Sequence, residues 1–173
     1  MSGLTVSDIL ADGFGRVRHS LVAVLDGIEA DELTYQAGSG ANTIAWLLWH
    51  LTRVQDDHIS NVAGTEQLWT AGGWRDRFGL PLEPDDTGYG HAPWQVSVVK
   101  ASAELLDGYH AAVHEHTLRY VATLTDGDLG RIVDERFDPP VTLGVRLVSV
   151  IDDDLEHVGQ AAYVRGLARY QDD

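Results

Sequence analysis

The sequence predicts an all-α fold: a four-helix bundle with one long crossover loop between helices two and three. Two observations carry this. Four segments repeat apolar residues at alternating spacings of three and four, the mark of a helix that buries one face. The connections before and after are short, whereas the middle one runs over residues 63–100. At 173 residues the chain is most simply one domain, 1–173, with no internal repeat, low-complexity tract or linker dividing it.

Segment one, about Val6 to Ile28, puts Leu10, Phe14, Val17, Leu21, Val24 and Ile28 on one stripe. Thr5 or Ser7 can cap its start, and Asp8 suits the positive helix end. Gly13 and Gly15 weaken it locally. His19 lies off the stripe and reads as solvated. Gly38-Ser39-Gly40 then marks a loop within residues 29–41. Asn42 or Thr43 caps segment two, about Thr43 to Val62, which turns Ile44, Leu47, Leu51 and Val54 inward.

Residues 63–100 are the least regular stretch, with Trp69, Trp74, Pro81, Pro84 and Pro93. A connection of that length in a compact domain is usually functional. The expectation is that it walls the mouth of a pocket; the alternative is a surface excursion pinned by its own tryptophans. Segment three, about Ser102 to Leu124, turns Leu106, Tyr109, Val113, Tyr120 and Leu124 inward. Residues 125–141 form a loop in which Ile132-Val133 and Arg136-Phe137 are candidates for a short extended piece. Segment four, about Thr142 to Tyr170, is the longest, with Leu143, Leu147, Val150, Val158 and Ala161 in its stripe.

Composition removes several functional classes. A formal net charge of -15 repels phosphate backbones and anionic bilayers, so neither nucleic acid nor membrane is an expected partner. No apolar run approaches the ~20 residues of a membrane span. The stretch Met1 to Asp8 lacks the basic region and apolar core of a signal peptide, so the expected compartment is cytoplasmic. There is no Cys, which removes disulfides, thiolate ligands and a Cys nucleophile. Any metal site must therefore use His, carboxylate or other oxygen ligands.

Segment four offers such ligands. Asp153 and His157 are four residues apart and stand one above the other on one helix face. The remaining ligand must come from another element, and the candidate is His50. It lies at the edge of segment two's stripe, beside Val54 and Asp57. From that helix alone, a core-edge histidine with one hydrogen bond is the simpler account. His58 is two turns from His50, about 12 Å along the axis, too far to share an ion, and reads as a buried polar group. Segment three holds a rival pair, His110 and His114, with only Asp107 and Glu115 as nearby acids; a polar helix face is the simpler account of it. Asp154 falls mid-stripe, where an acid is costly unless it is paired, hydrogen-bonded or metal-bound. Asp154, Gln160 and Asp57 are the candidates for groups behind the ligands, Asp154 by holding an imidazole in the required tautomer.

Two imidazoles and a carboxylate suit Zn²⁺, Ni²⁺ or Fe²⁺ better than Mg²⁺ or Ca²⁺, with zinc or nickel expected first. Three protein ligands leave positions open, as catalytic metals require. An open position holds water, or a thiol whose pKa the metal depresses.

These stretches resemble the DinB-like (YfiT-like) metal-binding superfamily, which includes the metal-binding domain of mycothiol-dependent maleylpyruvate isomerase. The matching residues are Thr43-Ile44-Ala45-Trp46-Leu47-Leu48-Trp49-His50, Asp153-Asp154-Leu155-Glu156-His157-Val158-Gly159-Gln160 and the tail Ala161-Ala162-Tyr163-Val164-Arg165-Gly166. The resemblance spans nearly the whole chain in helix order and length. It implies a metal-activated low-molecular-weight thiol, mycothiol or a relative, acting on an electrophilic substrate in S-transfer or isomerisation. A homodimer is compatible with it. Position 153 is Asp where a triad of three His is commoner, which resembles the His-acid-His variant of the mycothiol-using branch. The second, C-terminal domain of the two-domain isomerase has no counterpart here, so that enzyme's own activity is not carried over. Three readings stay open: a metal- and thiol-dependent transferase or isomerase, a non-catalytic metal-binding bundle with a sensing or interaction role, and a bundle whose acids and histidines are only polar core.

Overall fold

The computed structural model describes residues 3–170. The fold is all-α apart from a two-stranded ribbon. In order, the helices are α1 (Val6–Leu25), α2 (Ala30–Thr34), α3 (Ile44–Ala63), α4 (Leu68–Ala71), α5 (Trp74–Phe78), α6 (Pro93–Val98) and α7 (Ala103–Val121). A 3-10 turn at Asp126–Gly130 leads into β1 (Ile132–Asp134) and β2 (Val141–Thr142), which pair antiparallel, and α8 (Leu143–Arg169) closes the chain. Among the described residues no helix is long and apolar enough to cross a membrane.

Each long helix begins on a hydroxyl. The side chains of Thr5, Thr43, Ser102 and Thr142 accept the backbone N–H of Asp8, Trp46, Leu105 and Val145, satisfying a donor that has no partner inside the helix. The helices α1 and α3 each pack on both α7 and α8. One part of the core gathers Leu21, Leu47, Trp49 and Tyr109; another gathers Phe14, Ile59, Leu143 and Leu147.

An amphipathic helix buries one stripe, but α3 buries all ten residues from Ile44 to Arg53. The cause is the crossover between α3 and α7, which lies over the outer side of α3. Arg53 and Asp56 are wholly buried and hold it there. The Asp56 carboxylate accepts the backbone N–H of Leu68 at 2.9 Å, that of Trp69 at 2.7 Å and the Tyr109 hydroxyl at 2.8 Å. Arg53 donates to the Asp86 carbonyl at 3.2 Å and to Gln67 Oε1 at 2.9 Å. Buried charges persist only with partners of this kind.

The expected stripes hold with local exceptions. Ile28, Val54, Tyr120 and Leu124 are half-buried; Ile28 and Leu124 lie beyond the ends of their helices, and Val54 faces a cleft. The loop expected at 29–41 contains α2, and the irregular stretch at 63–100 contains three short helices. Ile132-Val133 is extended as expected, but Arg136-Phe137 is not: it bends between the strands, and the partner strand is Val141–Thr142.

Candidate metal centre

The packing of α3 on α8 brings His50 to Asp153 and His157. One ligand atom from each lies within 4.8 Å of the others. The two imidazole rings are 4.7 Å apart at 65°. Among the described residues this is the one such convergence of three His or carboxylate side chains.

Each ring is oriented from behind by a main-chain carbonyl. His157 Nδ1 lies 2.7 Å from the carbonyl of Asp153, one turn back in α8. His50 Nδ1 meets the carbonyl of Thr87 in the crossover. A carbonyl only accepts, so both Nδ1 atoms carry a hydrogen, and the tautomer this selects in a neutral ring leaves Nε2 as the atom free to bind a cation. Burial also holds the His50 imidazole below its ordinary pKa, against the opposing pull of the Thr87 bond. The third member supplies the charge. Asp153 Oδ2 is buried and has no hydrogen-bond partner. It stands 3.6 Å from His157 Nδ1, whose hydrogen is already committed to the backbone. A carboxyl oxygen left so is unsatisfied, and a cation shared with two imidazoles would satisfy it. The donor set, two nitrogens and one oxygen, fits a divalent transition metal.

Local backbone chemistry explains how Thr87 reaches His50. Gly88 has φ +95, and a Cβ there would lie 2.8 Å from His50 Nδ1 and 3.0 Å from Trp49. Only glycine allows that conformation and that approach without strain. A side-chain relay fixes the same turn. The Trp46 indole stacks on His50 with centroids 4.6 Å apart and donates to His91 Nδ1 at 3.0 Å. His91 Nε2 then donates to Asp86 at 2.8 Å, and Asp86 also accepts the Gly88 N–H at 2.8 Å. Periodicity gives no hint of His91, because it lies on a turn.

Among the described residues, none of the three groups expected behind the ligands, Asp154, Gln160 and Asp57, hydrogen-bonds either imidazole. Asp154 is fully buried, but neither of its oxygens has a hydrogen-bond partner, so it orients no imidazole. Burial, with the charge of Asp153 adding, pushes its carboxyl well above the usual range. Gln160 is exposed and, among the described residues, makes no hydrogen bond to either imidazole. Asp57 bonds neither ring; it accepts from Gln67 Nε2 at 2.6 Å. His58 is half-buried, and its Nδ1 is 2.9 Å from a guanidinium nitrogen of Arg146. The rival pair does not assemble a site: His110 and His114 stack 6.1 Å apart with no acid converging on them among the described residues. His110 is fully buried with both ring nitrogens unpartnered.

A cleft of about 580 Å³ opens beside the cluster. His50 and Asp153 line it, with Thr87 and Tyr89 of the crossover on one wall. The crossover therefore does wall a pocket mouth.

Comparison with known proteins agrees with this architecture. The model of the DinB superfamily matches residues 14–161, and the chain belongs to that superfamily. Its fold is also that of a conserved protein from Enterococcus faecalis, known from a crystal structure: the two are 30% identical, with a TM-score of 0.88 over 94% of this chain and 96% of that one. No curated protein matches the chain with significance.

Proposed function

We propose that His50, Asp153 and His157 hold a divalent transition metal, zinc or nickel, and that the protein is a metal-dependent enzyme. It would use a low-molecular-weight thiol of the mycothiol type for S-transfer to, or isomerisation of, an electrophilic substrate. The observation that carries the metal is the orphaned Asp153 Oδ2 beside two imidazoles whose Nδ1 hydrogens are both taken by backbone carbonyls. Membership of the DinB superfamily supports the same reading. So does the arrangement of α1 and α3 on α7 and α8, which we take as a four-helix bundle with its ligands on facing helices.

When bound, such a metal supplies Lewis acidity, which lowers the pKa of a thiol in an open position. The chain's own residues do the rest. Asp153, in place of a third imidazole, adds one negative charge and leaves a divalent centre with net positive charge for an anionic sulfur. Trp46, stacked on His50, screens one side of the cluster from water. The cleft is of the size that encloses a small-molecule ligand. With no Cys in the chain, the thiol must come from outside.

Elemental analysis of untagged protein tests the metal. Stoichiometric zinc or nickel is expected, and alanine at His50 or at His157 should abolish it; full metal in both variants would sink the assignment. Mycothiol added to cobalt-loaded protein should raise a sulfur-to-cobalt charge-transfer band. If metal is present and the spectrum stays silent, the protein is a non-catalytic metal-binding bundle.

A further inference from the structure

The cleft beside the three candidate ligands continues to a second polar group. Arg146, two turns before Asp153 on α8, contacts His58 Nδ1 at 2.9 Å and donates to Asp134 at 3.0 Å. Arginine only donates, so His58 Nδ1 accepts and its ring hydrogen sits on Nε2. Those two contacts use two of the roughly five N–H bonds a guanidinium offers. The others, and the His58 Nε2–H, have no protein acceptor among the described residues. Both side chains line the same cleft as His50 and Asp153. This end of the cleft therefore presents donors.

Two guanidiniums, Arg136 at 2.7 Å and Arg146 at 3.0 Å, face the Asp134 carboxylate; with Asp57 counted, charge at this end balances, so the free N–H donors rather than a surplus of charge define it. Asp57, 3.8 Å from His58 and 40% exposed, is turned partly to water. The same cleft is lined by the apolar or aromatic side chains of Val54, Phe137 and Tyr89. Phe137 and Tyr89 are 58% and 93% exposed, a large apolar surface at the rim of a polar cleft.

We infer that this cleft takes a ligand with a carboxylate at one end, gripped by Arg146 and His58, and an apolar segment reaching back to the His50–Asp153–His157 centre. The inference rests on the metal reading above and adds the substrate class. Position 146 precedes 153 by seven residues and 50 precedes 58 by eight, so the two ends lie about 10–12 Å apart along the helices. A short acid cannot span them. A dianion such as phosphate is disfavoured, because Asp134 and Asp57 stand beside the donors, whereas a carboxylate matches the planar guanidinium fork.

The test uses cobalt-substituted protein and ω-mercaptocarboxylates of increasing length, all too long to chelate the metal through both ends. Each is compared with the mercaptoalcohol of the same length through the sulfur-to-cobalt band. Once the chain is long enough to span the cleft, the acid should bind roughly tenfold more tightly than the alcohol. Arg146→Gln should remove that preference and leave cobalt content and alcohol affinity unchanged, and Arg146→Lys should keep part of it. Equal affinities of long acids and alcohols in the wild type overturn the carboxylate anchor and leave the metal reading standing. Failure to take up cobalt, or a spectrum that ignores every thiol, overturns the thiol-enzyme reading and this inference with it. The wild-type comparison needs no variant, so the outcome is decided even if Arg146→Gln does not fold.

Discussion

The imidazoles of His50 and His157 are held by the main chain, through the carbonyls of Thr87 and Asp153. Groups that orient a ligand ring from behind are commonly worth 10–100-fold in metal affinity. Gly88→Ala should therefore weaken metal binding by roughly that factor, since a Cβ at 88 pushes the Thr87 carbonyl off His50. Competition with a chromophoric chelator measures it, and circular dichroism should show unchanged helix content. A second prediction concerns His110. Burial, with Arg18 and His114 adding, lowers its pKa from 6.5 to about 3. Between those values the unfolded chain binds the extra proton and the folded one does not, so stability falls as pH drops below about 6.5 and is unaffected above it. His110→Leu removes two unpartnered buried nitrogens and should flatten the fall in Tm between pH 7 and about pH 5. The candidate metal cluster was half legible in the sequence. Asp153 and His157 share one helix face by spacing alone, and His50 stood out as polar at the edge of an apolar stripe. Thr87 and His91 were not legible, because a backbone acceptor and a turn residue leave no periodic trace. Asp154 misled for a related reason: its place in the stripe was right, but burial says nothing of which neighbour it touches.

At the scale of the element, α3 sets the architecture. It is covered on one side by α7 and α8 and on the other by the crossover, which Asp56 holds through two backbone N–H groups. Asp56→Ala leaves Arg53 buried without its acid and frees the start of α4. Breaking a buried pair in this way costs about 3–5 kcal/mol, and urea denaturation should show a loss of that size. Hydrogen exchange should also quicken first in residues 64–90, ahead of α1 and α7. The long helices were readable because each repeats its apolar period several times. The short helices α2, α4, α5 and α6 run four to six residues, too few for a period to register. The outer face of α3 was unreadable for a different reason: Arg53, Gln55 and Asp56 look like a solvated face until the partner that covers them is known.

Across the whole molecule, the cluster joins α3, α8 and, through Thr87, the crossover. A ligand that binds only the folded state adds stability by mass action, about 2.7 kcal/mol at a hundredfold excess over Kd. Removing metal with EDTA should therefore lower Tm, and His157→Ala protein should show the lower Tm from the start and no response to EDTA. An unchanged Tm in both would mean that no metal bridges these elements. The crossover meets His50 through a carbonyl and Asp56 through amides, groups that every residue except proline possesses in full. Apart from Gly88 and the Asp86–His91 pair that fix the turn, its side chains are free of the contacts that orient His50. Exchanging the exposed Tyr89 should redirect what the cleft accepts while metal affinity stays unchanged, which makes this position a natural place for specificity to change.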